Sequence, residues 1–441
     1  MRAIFVMLIA ALGILAGCGG SSGGGTVAQP QFTRVATFGF PANYGPEGPL
    51  TQGTGGNFFG ATAQGGNPSG GTIFELTSGG EVTTLYTFCA ETNCADGDVP
   101  NGGLIRAADG NFYGTTQSGG SGTGFGLPGA GGTVFKTTPA GKLTSLYSFC
   151  SQPNCSDGLF TNRLIQAADG NFYGTTIRGG ASPVSQCYGE GCGNVFRITS
   201  EGTLTIMYSF CPKANCADGA EPYAALVQGT DGNFYGTTGY GGANGQGTVF
   251  KITSGGTLTT LYSFCSQTNC ADGSLPMAEL VQGTTGNFYG TTSSGGVNAS
   301  SQCCGTVFTI TPDGALTTLY SFCSQTNCTD GDSPSAGLIQ GTDGSFYGVT
   351  ASGGDPKCFT QIVDGTPTSY SCGTVFRITS AGALTTLHTF ELTDGDGPAG
   401  ALLETANGIF YGTTGAGGPG QGNGDGLGGG TVFSLSIGLG P

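Results

Sequence analysis

The cysteines have the most regular spacing of any reactive residue type in this 441-residue chain. Twelve of the 17 cysteines have C-x4-C spacing: five recurring motifs begin at Cys89, Cys150, Cys211, Cys265 and Cys323, and Cys187 with Cys192 has the same spacing elsewhere in the chain. Closely spaced cysteines either join as disulfides in an oxidising compartment or bind zinc through their thiolates. Zinc sites usually recruit histidine as well, but the chain has a single histidine, His388. The compartment therefore decides between the two chemistries.

The N-terminus predicts export. Arg2 precedes an apolar run, Ile4–Leu15, which is too short to span a bilayer as a permanent helix. The run ends in the residues L-A-G-C at 15–18, an order typical of bacterial lipoprotein signals. We therefore predict cleavage before Cys18 and attachment of lipid to Cys18. Ordinary signal cleavage with an incidental cysteine is the alternative.

These features divide the chain into three segments. Residues 1–17 are the predicted signal peptide, residues 18–31 a lipidated cysteine with a Gly/Ser-rich tether, and residues 32–441 the folded domain. No Asp follows Cys18, which favours the outer membrane or the cell surface over retention at the inner membrane. The lipid at Cys18 would make the membrane a partner of the chain.

An exported protein with 16 cysteines besides Cys18 is expected to form eight disulfides. Local pairing is the simplest arrangement, and each small closed loop would stabilise the fold by roughly 2 kcal/mol. Cys303 and Cys304 are adjacent, so they either form a vicinal disulfide, which could offer a flat platform to a ligand, or bond to other loops. The predicted pairs are Cys89–Cys94, Cys150–Cys155, Cys187–Cys192, Cys211–Cys216, Cys265–Cys270, Cys303–Cys304, Cys323–Cys328 and Cys358–Cys372.

Aspartates form a second repeated pattern, because an Asp-Gly pair follows most of the C-x4-C motifs. Such an Asp can cap its own turn by accepting backbone N–H groups. It could also bind calcium, which prefers carboxylate and carbonyl oxygens, or contact a ligand directly. The positions with two aspartates are the candidate calcium ligands: Asp96, Asp98, Asp330, Asp332, Asp394 and Asp396.

Residues suited to catalysis are few. His388 stands where other repeats have Tyr, no serine motif leads into a helix, and the two G-x-G-x-x-G stretches lie in Gly-rich loops with no helix after them. We therefore predict that the protein is not an enzyme. The net charge of −15 also argues against nucleic-acid binding, which needs a basic surface.

Internal repeats reveal the elements that position these residues. The phrase G-N-F-Y-G or a close variant begins at Gly56, Gly110, Gly170, Gly232, Gly286, Gly344 and Gly408. The phrase G-T-V-F also occurs seven times, and L-T-T-L-Y-S-F six times, with a related seventh copy at Arg34–Phe38. Each phrase is rich in β-branched and aromatic residues and is flanked by turn residues. The residues of L-T-T-L-Y-S-F alternate only imperfectly, so we expect this strand to be buried on both faces between stacked sheets. With a shorter run such as Ala224–Gln228, the three phrases predict four strands per repeat, named a to d in chain order.

Seven antiparallel four-stranded units predict an all-β, seven-bladed β-propeller. The chain starts with a lone d strand at Arg34–Phe38 and ends with a lone c strand at Gly430–Ser436. Pairing these two strands would complete the last blade and close the ring, leaving no open edge. An open solenoid is the alternative, but it does not explain why the strand missing at one end is present at the other.

The repeat resembles the GloVer tandem repeat of bacterial surface proteins with varied anchoring signals. The matching text includes D-G-N-F-Y-G-T-T at Asp109–Thr116 and G-T-V-F-K-I-T at Gly247–Thr253, and the resemblance covers residues 34–436. The first repeat departs from it, with Gly56-Asn57-Phe58-Phe59. The resemblance implies a surface-exposed repeat protein and brings no established biochemical activity.

In such a propeller the d–a and b–c links emerge on one face and the a–b and c–d turns on the other. All predicted disulfides and the long insertions lie in d–a or b–c links. We therefore expect a monomeric, lipid-anchored binding or adhesion scaffold that recognises a glycan or a surface protein through this disulfide-rich face, with calcium as a possible ligand of it. The alternatives are an extracellular polysaccharide lyase or hydrolase that uses loop carboxylates, and a purely structural envelope protein.

Overall fold

The computed structural model describes most of the chain beyond the predicted tether. The described residues are 29–39, 44–100, 102–123, 129, 131–181, 187–212, 214–299, 304–355, 361–363, 366–368, 372–419 and 428–438. The predicted signal peptide and Cys18 lie outside these ranges. In the described part of the chain, no helix is both long and apolar enough to cross a membrane.

Seven antiparallel sheets of at least four strands form the blades of a β-propeller, which confirms the predicted fold. The two central strands of each blade, b and c, are almost fully buried because both of their faces meet neighbouring sheets. The b strands are Phe58–Thr62, Phe112–Thr116, Phe172–Arg178, Phe234–Thr238, Phe288–Thr292, Phe346–Thr350 and Ile409–Ala416. The c strands are Thr72–Leu76, Thr133–Thr137, Asn194–Ile198, Thr248–Ile252, Thr306–Ile310, Thr374–Ile378 and Thr431–Ser436.

The outer d strands remain half-exposed, so the expectation that they are buried on both faces is wrong. They are Val82–Thr87, Leu143–Ser148, Leu204–Ser209, Leu258–Ser263, Leu316–Ser321, Leu384–Thr389 and Gln31–Thr37. Each d strand is the last in its sheet, and one side of it faces solvent.

The inner a strands are shorter than predicted. They are Thr51–Gln52, Ile105–Arg106, Ile165–Gln166, Val227–Gln228, Val281–Gln282, Ile339–Gln340 and Leu403–Glu404. In blade 4 the predicted strand began at Ala224, but the Ala224 carbonyl accepts a hydrogen bond from the Thr175 hydroxyl of blade 3 at 2.9 Å. The start of this predicted strand therefore bonds to the neighbouring blade, as do the aligned residues of blades 1, 3, 5 and 6.

The ring closes as predicted. The first d strand, Gln31–Thr37, pairs antiparallel with the last c strand, Thr431–Ser436, and completes blade 7. The Thr413 hydroxyl of blade 7 also donates to the Gly48 carbonyl of blade 1 at 3.1 Å. Both ends of the chain thus hold the same blade together, so separating blade 7 from blade 1 breaks contacts that lie far apart in the sequence.

Two rings of aromatic side chains join the blades. In the first ring, the second aromatic residue of each N-F-Y-G phrase stacks on the first aromatic residue of the next blade, as Tyr235 does on Phe288 at 4.0 Å between ring centroids. In the second, the d-strand Phe of one blade meets the c-strand Phe of the next, as Phe264 meets Phe308 at 5.2 Å. Both rings continue from blade 7 to blade 1, through Tyr411–Phe58 and Phe38–Phe74.

The glycine that ends each N-F-Y-G phrase makes room for this packing. A Cβ added at Gly236 would lie 2.6 Å from the Phe250 ring and 2.9 Å from Leu226, closer than packed carbon atoms approach. Glycine in a strand interior commonly marks such a close approach. The packing of the blade therefore requires glycine at this position of the phrase.

The links carry short additional elements. Short 3-10 turns occur in the cysteine-bounded loops, at Thr92–Cys94, Pro153–Cys155, Cys187–Gly189, Ala214–Cys216, Thr268–Cys270 and Thr326–Cys328. Short strands at Leu159–Thr161 and Asp396–Pro398 extend blades 3 and 7, and Gln361–Val363 with Thr366–Thr368 forms a hairpin in the insertion of blade 6.

Candidate functional site

The disulfides lie on the face formed by the d–a and b–c links, which we call the loop face. Six predicted pairs are bonded in the structure, which confirms a disulfide-bonded protein: Cys89–Cys94, Cys150–Cys155, Cys187–Cys192, Cys211–Cys216, Cys265–Cys270 and Cys323–Cys328. Cys304 and Cys372 are also disulfide-bonded. Their predicted partners, Cys303 and Cys358, lie outside the described residues.

The disulfides argue against the alternative that these cysteines bind zinc. Two groups of described residues bring three ligand-type atoms together: Cys187, Cys192 and Cys216, and Cys304, Cys323 and Asp332. Every cysteine in these groups is in a disulfide. Because zinc binds thiolates, neither group can bind zinc through its sulfur atoms while the protein is oxidised.

In blades 1, 2, 4 and 5, the aspartate directly before the glycine caps the turn between the two cysteines. In blade 5, the Asp330 Oδ2 accepts hydrogen bonds from the Tyr320 hydroxyl at 2.8 Å and the Ser324 backbone N–H at 3.0 Å, and Oδ1 accepts from the Gln325 N–H at 3.2 Å. The Asp96 carboxylate makes the equivalent contacts in blade 1. These contacts occupy both carboxylate oxygens within the loop.

The second aspartate differs from blade to blade. Asp98 accepts a hydrogen bond from Ser118, and Asp332 accepts one from the Cys304 backbone N–H at 2.8 Å. Asp396 is 7% exposed, its Oδ1 has no partner among the described residues, and burial raises the pKa of this carboxyl to about 6. Calcium at these positions stays a prediction.

Asp394 lies next to the one histidine. The His388 Nε2 is 3.0 Å from the Asp394 Oδ2, where other blades place a tyrosine hydroxyl. The His388 ring also stacks on Phe32 of the closing d strand, with 3.7 Å between centroids. The histidine therefore takes over the structural role of the repeated tyrosine at the seam of the ring.

The centre of the loop face was not predicted as a site. The residues just before each a strand converge there around a cavity of about 150 Å³, which we call the channel mouth. Most of its lining is Gly, Ala or Pro. The polar and large side chains in the lining are Glu47, Asn162, Arg163, Tyr223, Met277, Glu279 and Ser335.

An ion pair spans the channel mouth. The Arg163 Nη1 of blade 3 lies 3.0 and 3.1 Å from the two carboxylate oxygens of Glu279 in blade 5, so the pair bridges past blade 4. The Arg163 Nε is buried and has no acceptor among the described residues. One donor of the guanidinium is thus unsatisfied and out of reach of solvent, while the rest of the side chain lines the cavity.

Glu47 lines the same cavity from blade 1. Its side chain is in contact with solvent, yet the surrounding protein displaces enough water to raise the pKa of its carboxyl. No cation among the described residues forms an ion pair with it within 4.0 Å. A carboxyl in a concave site without a counter-ion is a group that a ligand could contact.

Aromatic side chains lead from the channel mouth outwards over blades 3 and 4. Tyr223 donates a hydrogen bond to Glu221 at 2.9 Å, and its ring lies 6.3 Å from that of Tyr240, which is 41% exposed. Farther out, the Arg178 guanidinium lies over the Tyr188 ring at 4.7 Å. Tyr188 is 84% exposed, the most exposed large apolar side chain of the described residues.

Departures from the repeat are the signal that could have located the channel mouth. Where blades 3 and 5 have Arg163 and Glu279, the aligned positions of other blades have Pro49, Gly103, Ala225, Gly337 and Ala401. The candidate residues predicted from the sequence are ones that the repeats share. The charged groups that meet at the centre are instead those that break the pattern.

A sequence profile of the Gloeobacter/Verrucomicrobia repeat matches residues 14–188, 161–362 and 268–440. The matched segments together cover almost all of the chain and agree with the predicted resemblance. No curated protein matches the chain.

Solved structures share the propeller at low identity. A protein from Bacteroides uniformis, provisionally assigned as a 6-phosphogluconolactonase, is 15% identical over 78% of this chain and 84% of its own, with a TM-score of 0.46. A luciferin-regenerating enzyme is 13% identical over 82% and 97%, with a TM-score of 0.43. The PQQ-bound aldose sugar dehydrogenase of Streptomyces coelicolor is 13% identical over 93% and 99%, with a TM-score of 0.40.

The prediction that the protein is not an enzyme, which was drawn from its few catalytic residue types, is contradicted, because these similar structures are named for enzymes. A propeller with few histidines does not exclude catalysis. At this identity the similarity concerns the fold alone, and none of those activities is transferred to this chain.

Proposed function

The chain belongs to the Gloeobacter/Verrucomicrobia repeat family, and from this we propose a cell-envelope propeller that binds a glycan on its loop face. The observation that carries the proposal is the aromatic path over blades 3 and 4, formed by Tyr223, Tyr240 and Tyr188. The path starts at the channel mouth, where polar groups line a cavity.

The chemistry of the path suits a sugar polymer. Sugar rings have apolar faces and polar edges, and tyrosine rings present an apolar face with a hydroxyl at one end. The charged groups beside the rings, Arg178, Glu190 and Glu221, can hydrogen-bond to hydroxyls of a ligand. Arg178 and Glu190 already hold each other at 2.5 Å, so they are positioned before a ligand arrives.

The disulfides support the same function. Each closes a loop on this face across a sequence separation of five residues, which limits the conformations that the loop can adopt. A rigid surface loses less entropy when it binds an extended ligand. Anchoring through lipid at Cys18, in the outer membrane or at the cell surface, is part of the proposal and would hold this face near envelope polymers.

A glycan screen tests the proposal. The purified chain would be applied to an array of neutral, acidic and amino glycans, with calcium and again with a chelator. We expect saturable binding, and a loss of binding upon chelation would assign calcium to the loop face. The absence of any glycan binding would refute the proposal and favour a protein partner.

Matched variants locate the binding surface. Tyr240→Ala and Tyr188→Ala should weaken binding about tenfold or more if the rings are contact hot spots. Val297→Ala is the control, because Val297 is 73% exposed in the b–c link of blade 5, away from the path. An equal effect of all three variants would show that the path is not the binding surface.

Hydrolysis of a glycan at the channel mouth is a second candidate function. Glu47 and Glu279 line one cavity in different environments, since Glu279 is paired with Arg163 while burial raises the pKa of Glu47. Two carboxyl groups placed in different environments within one cavity are the kind of pair that glycosidic hydrolysis uses. Release of reducing ends from a bound glycan, abolished by Glu47→Gln, would establish this activity, and bound glycan recovered intact would exclude it.

A further inference from the structure

The charged side chains that line the channel mouth do not neutralise one another completely. Its charged residues in the described chain are Glu47, Arg163 and Glu279, two negative and one positive, so the site has a net charge of −1. Arg163 and Glu279 neutralise each other at 3.0 Å, which leaves the Glu47 carboxyl without an ionic partner among the described residues. The site therefore offers one negative charge to a ligand.

The same site offers a partly exposed guanidinium side chain. Arg163 lines the cavity and is 26% exposed beside Glu279, so a ligand in the cavity can contact this pair. The Arg163 Nε is buried and is not the contact group. A ligand that suits both groups must present a cation to Glu47 and a neutral oxygen to Arg163.

The volume of the cavity and the net charge of the protein narrow the class of ligand further. A cavity of about 150 Å³ is smaller than the pockets that hold drug-sized ligands, and it can accept one small ring or a chain end. The net charge of −15 attracts cations to the protein and repels acidic polymers. An acidic sugar would also face the two carboxylates of the site.

We propose that the channel mouth binds an amino-sugar residue with a free ammonium group, held between Glu47 and Arg163. The ammonium pairs with the Glu47 carboxylate, and ring hydroxyls hydrogen-bond to the partly exposed Arg163–Glu279 ion pair. This proposal rests on the proposed glycan binding and specifies the sugar at the centre of the loop face. The rest of the glycan would leave the mouth along Tyr223 and Tyr240.

The experiment compares three tetrasaccharides as probes: glucosamine, N-acetylglucosamine and glucose oligomers, each titrated calorimetrically into the purified full chain. The second probe lacks the ammonium, and the third lacks the nitrogen. We expect the glucosamine oligomer to bind at least about tenfold more tightly than the other two, since only its ammonium can form a charge-assisted hydrogen bond with the Glu47 carboxylate.

Two variants assign the contacts. Glu47→Gln should remove most of the preference for glucosamine, while Glu91→Gln, an exposed loop-face glutamate outside the cavity, should leave it unchanged. Arg163→Lys retains a cation beside Glu279 but replaces the planar guanidinium by a compact ammonium with fewer N–H donors, so it should weaken all sugar binding severalfold. Thermal unfolding of each variant checks that the fold is intact.

The outcomes separate this inference from the proposed function. Equal binding of the three probes, or a glucosamine preference that survives Glu47→Gln, would overturn the amino-sugar site while glycan binding along the aromatic path stands. Binding of none of the probes, together with a glycan hit that depends on Tyr240, would likewise overturn it. If no glycan binds at all, both proposals fail.

Discussion

The inter-blade framework and the channel mouth are built from the same seven repeats, yet they differ in how far they follow the repeat. In the framework, each aromatic contact recurs from blade to blade, and even the seam reproduces it with Phe390 and Phe433 at 5.1 Å. At the channel mouth, aligned positions carry Pro, Gly, Arg, Ala and Glu. Repetition preserves packing, because every blade faces the same neighbours. Function at the centre needs different groups in different blades.

The strongest test of this comparison removes a framework ring. Phe250 is fully buried and contacts Phe210 of the preceding blade at 5.2 Å. Phe250→Ala should lower the free energy of unfolding by about 3–5 kcal/mol, because it leaves a cavity between two sheets. Denaturant unfolding measures the loss.

The matched variant is Phe433→Ala at the seam, which holds the same position in blade 7. Equal losses would show that the framework is uniform around the ring. A loss at Phe250 no larger than that of Val297→Ala would contradict the packing argument.

A smaller effect should distinguish two aspartates at the same repeat position. Burial raises the pKa of Asp396 from 3.8 to about 6, so the native state holds its proton more tightly than the unfolded chain does. The contribution of Asp396 to stability is therefore greatest below about pH 4 and is lost as the pH rises through 6. Asp396→Asn should stabilise the protein by about 1–3 kcal/mol at pH 8 and have little effect at pH 4.

Asp332→Asn is the comparison for this prediction. The Asp332 carboxylate accepts hydrogen bonds from the Cys304 N–H and the Ser333 hydroxyl, so its substitution should cost about 1 kcal/mol at pH 8. Denaturant unfolding at pH 4 and at pH 8 gives the change in the free energy of unfolding for each of the two variants. Destabilisation by Asp396→Asn at pH 8 would show that this carboxylate has a partner or a ligand.

Loss of a turn cap should have an effect of similar or smaller size. Asp330→Ala would leave the N–H groups of Ser324 and Gln325 and the Tyr320 hydroxyl without their acceptor. We expect a loss of about 1–3 kcal/mol, measured as the shift of the denaturation midpoint. Calcium should not change this loss if Asp330 acts only as a cap, whereas a calcium-induced rise in melting temperature that the variant lacks would make it a metal ligand.

The smallest effect is expected on the opposite face of the disc. Lys251 pairs with Asp231 at 2.9 Å, but blade 5 has Thr309 at the same position. Lys251→Thr should change the free energy of unfolding by less than about 1 kcal/mol, since exposed ion pairs contribute little. A larger loss that disappears in 1 M salt would show that charges on this face matter more than its repeated turns.

Sequence reasoning succeeded where structure depends on near neighbours in the chain. The blade number, the strand order and the short-range disulfides all follow from patterns within about sixty residues. It failed for the length of the a strands, because the hydrogen bond from Thr175 to the Ala224 carbonyl joins two blades and leaves no pattern within one repeat. It also failed for the exposure of the d strands, which depends on what lies outside each sheet.

The amino-acid sequence by itself determined the seven-bladed ring and its closure, because strand patterning and turn chemistry act locally and repeat seven times. It did not determine the channel mouth. Arg163 and Glu279 are 116 residues apart and Glu47 lies on a third blade, so their meeting depends on the radius of the closed ring and the reach of their side chains. Charges that look like isolated departures from a repeat become one site when the ring brings their blades together.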